Sequence, residues 1–256
     1  SIPMVVISGQ VQSDLIGTDS FQETDMVGIS RPVVKHSFMV KSAEEMAEVV
    51  KKAFYIASSG RPDPVVIDVL KDTTDLSYRV PYAYPDSVSL RSYNPSTRGH
   101  PRQIRKAVDL LLAAKRPIIY SGGGVIQGNA SEPLAALARR LKLPVTNTLM
   151  GLGAYPSTDP QFLGMLGMHG SYPANMAMHH SDLILAVGAR FDDRVTNDPS
   201  KFCPDAKVIH IDVDPASISK IIPAEVPIVG PALPVLTELL ATLEDRLKEA
   251  PELVDE

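Results

Sequence analysis

"DLILAVGARFDDR", residues 182–194, opens with an apolar run that never alternates with polar residues, and it ends with two arginines and two aspartates in five positions. A strand with one face in water alternates apolar and polar side chains, whereas a parallel strand covered on both faces reads as a continuous apolar run. The stretch therefore predicts a buried parallel strand. Its charged end cannot be buried unpaired, because an isolated ion in a low-dielectric interior is costly. Arg190, Asp192, Asp193 and Arg194 are expected on a polar turn beyond the carboxyl end of that strand, around Phe191.

Short runs of the same kind recur at 3–8, 64–69, 117–121, 143–147, 207–213 and 226–230, each flanked by Pro or Gly. Helical patterns lie between them. Residues 42–57 suggest a capping box, Ser42 with Glu45, and place Met46, Val49, Val50, Ala53, Phe54 and Ala57 on one face. Further apolar stripes run through 101–114, 132–142 and 231–248, with Pro101 suited to a first helical turn. Strand, helix, strand is the rhythm of right-handed βαβ units, so the expected fold class is α/β, with parallel doubly wound sheets flanked by helices. Residues 74–100 carry prolines and no clear period, which predicts an interdomain linker.

With 256 residues, 44% of them hydrophobic, the chain can bury a sizeable core, and a prior of roughly 100–200 residues per domain favours two domains. The formal charge of -5 makes nucleic acid an unexpected partner. The single cysteine, Cys203, excludes an internal disulfide and a cysteine-rich zinc site, and it fits a reducing cytoplasm. No apolar run reaches the ~18–20 residues of a membrane span. The chain begins within a strand pattern, "SIPMVVISGQ", without an initiator Met, so a fragment of a longer protein is expected.

In an open α/β sheet, ligands bind beyond the carboxyl ends of the strands. The residues just past each apolar run are therefore informative. Gly122, Gly123 and Gly124 come after 117–121; they suit close approach to a phosphate, and equally a plain tight turn. Thr148 to Gly151 come after 143–147. Asp212 ends 207–213, where an acid can take a ribose hydroxyl or, with Asp214, cap a helix at "PASISK". "LGMLGMHGSY", 163–172, reads as a glycine-punctuated loop. Met165 and Met168 are more often core filler than cofactor contacts. His169 can be a satisfied buried histidine, and His179 and His180 a helix surface. No metal-ligand spacing such as H-E-x-x-H exists, so no metal site is assigned. The G-x-S-x-G elbow of a hydrolase is absent as well.

"GTDSFQETDMVGISRPVVKHSF" (17–38), "SGRPDPVVIDVLKD" (59–72), "LMGLGAYP" (149–156), "LGMLGMHG" (163–170), "AVGARFDDRVT" (186–196) and "HIDVDPASI" (210–218) stand in an order and spacing that resemble the large catalytic subunit family of acetohydroxyacid synthase, or acetolactate synthase. The resemblance covers nearly the whole chain. It implies three α/β domains in the parent. Residues 1–75 would be the carboxyl-terminal part of a pyrimidine-binding domain, incomplete here, and 76–100 a linker. Residues 101–246 would be the central FAD-binding domain, and 247–256 a tail toward a pyrophosphate-binding domain outside this chain. The chain alone is then expected to be inactive, with an aggregation-prone first segment.

The resemblance further implies thiamine diphosphate, Mg2+ and FAD as cofactors. The family reaction decarboxylates pyruvate and ligates the two-carbon unit to a second 2-ketoacid, pyruvate or 2-ketobutyrate, toward branched-chain amino acids. Arg194 would hold the carboxylate of that second ketoacid, a task that suits the guanidinium fork. FAD contacts would be Arg61, Gly123, Thr148, Leu149, Leu166, Gly167, Met168, His169, Gly188, Ala189, Arg190, Phe191, Asp192, Asp193, Asp212 and Val213. Phe21, Gln22 and Lys71 would line the substrate channel, although Phe21 also reads as core and the other two as surface. A homo-oligomer and a regulatory small subunit are implied partners. Asp63, Leu70 and Pro231 depart from the family pattern, where Gly, Pro and Asp are usual. A flavin or nucleotide module without turnover is the alternative function. An NAD-dependent enzyme is a weaker one, since "GGGVIQG" does not have the G-x-G-x-x-G spacing.

Overall fold

The protein is described from a computed structural model, which covers residues 1–249. Two compact units divide the chain, Ser1–Pro95 and Ser96 onward. In the first unit, β1 (Met4–Gln10), β2 (His36–Val40) and β3 (Pro64–Leu70) form a parallel sheet in the order β1-β3-β2. The central strand β3 is buried from Val65 to Leu70, as its unbroken apolar run requires. β1 departs from that expectation, because Met4 is 50% and Ile7 69% exposed: it is an edge strand paired on one side only. β2 is not among the expected strands; "HSFMV" is short and mixes polar with apolar residues.

Two helices pack in this unit, α1 (Met26–Ser30) and α2 (Met46–Ser58). α2 begins later than the capping box implies, and only half of that motif forms. The Glu45 carboxylate accepts from the backbone of Lys41 and of Ser42. The buried stripe is Val49, Ala53, Ile56 and Ala57, whereas Phe54, expected on it, is 59% exposed. Phe54 comes one residue after Ala53, about 100° around the helix, and so turns off the core face.

The segment expected as a linker is largely part of the first unit. Residues 75–95 hold no helix or strand, yet Leu90 and Tyr93 pack on the core of that sheet. Lys35 fixes them there. Its ammonium, with three N–H donors, lies within hydrogen-bonding distance of the carbonyls of Ile56, Ser59 and Arg61 (2.6–2.9 Å) and of Tyr93 Oη (2.7 Å). Tyr93 Oη in turn donates to Ser59 O at 2.8 Å.

In the second unit, α3 (Pro101–Ala113) leads into β4 (Pro117–Ser121), α4 (Gly123–Gln127), α5 (Ser131–Arg140), β5 (Val145–Asn147) and β6 (Phe162–Met165). Then come α6 (Tyr172–His179), β7 (Leu183–Val187), α7 (Asp193–Thr196), β8 (Lys207–Asp212), β9 (Val226–Val229) and α8 (Ala232–Glu249). Of the expected tail at 247–256, residues 247–249 end α8 and 250–256 lie outside the described residues. The six strands are all parallel, in the order β6-β5-β4-β7-β8-β9. Both faces are covered, which is why the strands read as unalternated. Ile119, Leu183, Leu185, Val187, Ile209 and Ile211 face α3, α5 and α8, while Ile118, Tyr120, Ile184, Ala186 and Val208 face α6 and the turns up to Cys203.

The second unit departs from expectation at two further places. Residues 163–165, expected within a loop, belong to the edge strand β6. Gly164 at φ +91° and a register irregularity opposite Val145 and Asn147 hide it from a periodicity reading. No helix starts at Asp214: residues 215–219 are turns, and Asp214 Oδ1 accepts from Ala216 N at 2.9 Å.

Candidate functional site

The strand order reverses between β4 and β7. From β4 the chain goes outward to β5 and β6, then returns to β4's other side for β7, β8 and β9. Loops leaving neighbouring strands in opposite directions open a crevice at such a switch point, and this order is the one on which dinucleotides bind. Backbone crosses backbone there. An added Cβ on Gly122 would lie 2.1 Å from Gly188 O, one on Gly124 2.7 Å from Gly188 Cα, and one on Gly188 2.6 Å from Gly124 Cα. Gly122 N and Gly124 N donate to Val187 O (2.9 Å) and Gly188 O (3.1 Å). Glycine at these positions is a packing requirement, so the plain-turn reading of "GGG" understates it.

Around this crossing the structure gathers most of the expected contacts. Gly123 opens α4 and lies against Met150. Thr148 N donates to Ser121 O, and its hydroxyl accepts from Gly151 N, both at 2.9 Å, which leaves Leu149 exposed at the rim. Leu166 is buried and donates its N–H to Asn147 O at 3.1 Å. Gly167 sits at φ +103°, and an added Cβ would meet Arg194 O at 2.6 Å. Met168 N donates to Arg194 O at 2.8 Å, and Arg194 Nη1 lies 3.5 Å from the Met168 sulfur. His169 is exposed, so the buried-histidine reading does not hold for it.

The charged turn is wet, as the cost of burying charge demands: Arg190, Asp192, Asp193 and Arg194 are exposed, with Phe191 buried beneath them. Asp192 caps α7 through Oδ1, which accepts from Arg194 N at 3.2 Å. Gly188 has φ +54° and Ala189 is buried. On β8, Asp212 accepts from Asp214 N at 2.8 Å, beside the half-buried Val213. Pro231 immediately precedes α8, next to Gly230, whose N–H donates to Asp212 O at 2.9 Å.

The remaining expected contacts belong to the first unit. Lys71 begins the turn at the carboxyl end of β3, and Phe21 (89% exposed) and Gln22 (φ +70°) lie on the loop after β1. Ser13 ties that loop to Asp72 on the Lys71 turn, and Gln10 at the end of β1 donates to Thr24 O within the loop itself. The core reading of Phe21 fails on its exposure. Arg61 precedes β3 and thus sits at the opposite, amino end of that strand, where Nε donates to Ser1 Oγ at 2.8 Å. Within this unit the structure does not bring Arg61 to Lys71.

Some participants escape a sequence reading. Asn175 clamps Gly167, accepting from its N–H at 3.0 Å and donating to its carbonyl at 3.1 Å; nothing local marks that asparagine. Cys203 is buried, and desolvation pushes its thiol up to about 12, so it is no nucleophile near neutrality. A cavity of about 300 Å³ is lined by apolar residues such as Leu166, Met178 and Phe202 and by polar ones such as Asn175, Asp198 and Lys201. Among the described residues there is no group of three or more His, Cys, Asp or Glu placed to hold a metal ion, and no helix is long and apolar enough to cross a membrane.

Residues 104–239, just over half the chain, match the family model "Thiamine pyrophosphate enzyme, central domain". The chain belongs to this family of thiamine pyrophosphate enzymes. It is 63% identical over 254 residues to the acetolactate synthase large subunit of Haemophilus influenzae, covering 99% of this chain and 44% of that protein. It is 58% identical over 247 residues to the corresponding subunit of Buchnera aphidicola subsp. Schlechtendalia chinensis (96% and 43%). With the acetolactate synthase isozyme 3 large subunit of Escherichia coli K12 it shares 56% over 251 residues (98% and 44%). The chain thus spans less than half the length of these curated relatives.

Proposed function

We propose that this chain is the flavin-holding portion of an acetolactate synthase large subunit, in which the second unit binds FAD and the first contributes to a thiamine pyrimidine-binding domain. The observation that carries the reading is the meeting of Arg194 with the Gly167–Met168 loop at the carboxyl edge of the sheet. The 3.5 Å approach of Arg194 Nη1 to the Met168 sulfur supports a guanidinium at the rim of the crevice. The residues present fit a flavin dinucleotide: the crevice lies at a strand-order reversal, its floor is glycine-on-glycine backbone, and Leu149 and Met168 offer exposed apolar surface at its rim.

When bound, thiamine diphosphate with Mg2+ supplies the electron sink for decarboxylating a 2-ketoacid, and FAD is required without net redox change. The protein residues bind and orient. Arg194 pairs its fork with the carboxylate of the incoming pyruvate or 2-ketobutyrate. Its main chain is held by Met168 N and by the Asp192 cap. Phe21, Gln22 and Lys71 line the route of the substrate. The working protein is a cytoplasmic homo-oligomer that takes up a regulatory small subunit, as the term "large subunit" in the relatives' names supports. The same identity favours the enzyme over a flavin module without turnover.

The test is steady-state kinetics of the relatives-length protein containing this chain, with FAD, thiamine diphosphate and Mg2+. Arg194→Lys keeps the charge and loses the fork, so KM for the second ketoacid should rise about ten-fold or more while FAD affinity stays within about two-fold. No acetolactate from the unsubstituted protein, or an unchanged KM in Arg194→Lys, contradicts the proposal.

A further inference from the structure

Under the turn after β7, three strands cooperate. Tyr120 on β4 and His210 on β8 both pair with Ala186 of β7, one on each side. Both are fully buried. Ala186 offers only a methyl between them, and Phe191 folds back over the gap, its ring centroid 5.5 Å from Tyr120 and 5.3 Å from His210.

Each flanking side chain ends on a carbonyl of the turn. Tyr120 Oη donates to Arg190 O at 3.0 Å, and His210 Nε2 pairs with Ala189 O at 2.9 Å. A carbonyl partner requires the N–H on Nε2. The preceding carbonyl, Gly188 O, accepts from Gly124 N at 3.1 Å. Every described peptide bond is trans, so each N–H points opposite to the carbonyl of its own peptide plane. Drawing in the carbonyls of residues 188, 189 and 190 turns the N–H groups of Ala189, Arg190 and Phe191 away from those donors. Among the described residues none of these three N–H groups has an acceptor.

We infer that Tyr120 and His210 are positioning residues: they hold two successive carbonyls inward so that the backbone donors of 189–191, with the Arg190–Arg194 stretch behind them, face the bound flavin dinucleotide. The inference rests on the flavin reading above. Phenylalanine would fill the volume of Tyr120 equally well; only the hydroxyl sets the Arg190 carbonyl.

Flavin fluorescence and absorption titrations of the relatives-length protein containing this chain test this, with Tyr120→Phe, His210→Leu and His210→Gln beside the unsubstituted protein. Tyr120→Phe and His210→Leu should each weaken FAD binding about ten-fold and shift the visible band of the bound flavin; His210→Gln, which restores an N–H donor, should recover most of the loss. A merely structural role lowers the melting temperature and leaves affinity and band unchanged, and variants that are folded by circular dichroism yet bind within about two-fold of the unsubstituted protein overturn the inference. If His210→Leu does not fold, Tyr120→Phe, which removes one oxygen and little volume, decides alone. No FAD binding by the unsubstituted protein overturns the flavin reading, and the inference with it.

Discussion

Gly167 shows what a single residue contributes. Its φ of +103° lies where side chains are strained, and a Cβ would press to 2.6 Å of Arg194 O. Gly167→Ala should therefore cost about 1–3 kcal/mol of stability and loosen the Met168–Arg194 bond, read as a lower melting temperature and a higher KM for the second ketoacid. His210 gives the pH dependence. Burial lowers its pKa from the usual 6.5, against the opposing pull of the Ala189 carbonyl and Asp212. The unfolded chain then binds more protons than the folded one below pH 6.5. From this group, stability is complete above that pH and declines as pH falls toward the folded pKa. Denaturant melts between about pH 7 and 5 should show the decline, and His210→Gln should flatten it. The exposure of the turn that carries Arg194 is legible in the sequence because crowded charges need water or partners, whereas a role for Arg194 comes only from the resemblance. Tyr120, His210 and Asn175 are not legible, since an apolar strand's neighbours say nothing about which carbonyl a side chain reaches.

Elements are legible where burial on both faces forces an unbroken apolar run, as in β3, β4, β7 and β8. β2 and β6 escape such a reading because one is short and mixed and the other is broken by Gly164 at positive φ. The strap formed by residues 75–95 has the sequence of a linker because its order comes from Lys35 and Tyr93, groups 58 positions apart, and no local pattern encodes such a contact. Lys35→Met removes an ammonium shared among three carbonyls and a phenol. The first unit should lose about 1–3 kcal/mol, and amide exchange of Ser59–Arg61 should quicken. Unchanged exchange there would show that the strap is held by Leu90 and the tyrosine ring alone.

The whole molecule carries what the pattern of strands could not. Strand-helix alternation predicts parallel sheets, but the return from β6 to β4's far side is a choice among crossovers that local sequence leaves open. That return creates the switch point, and with it the glycine crossing and the convergence of several loops. The placement of most candidate residues of the second unit at one sheet edge comes from topology, while FAD as their ligand is a proposal that comes from the sequence resemblance. The central claim is that a flavin dinucleotide lies along those loops. Amide chemical-shift mapping of the isotopically labelled chain on titration with FAD tests it most directly. Saturable shifts are expected at Gly122–Gly124, Thr148–Gly151, Leu166–His169, Gly188–Arg194 and Asp212–Val213. Shifts confined to other surfaces, such as the cavity around Met178 and Phe202, or no shifts at all, would contradict it.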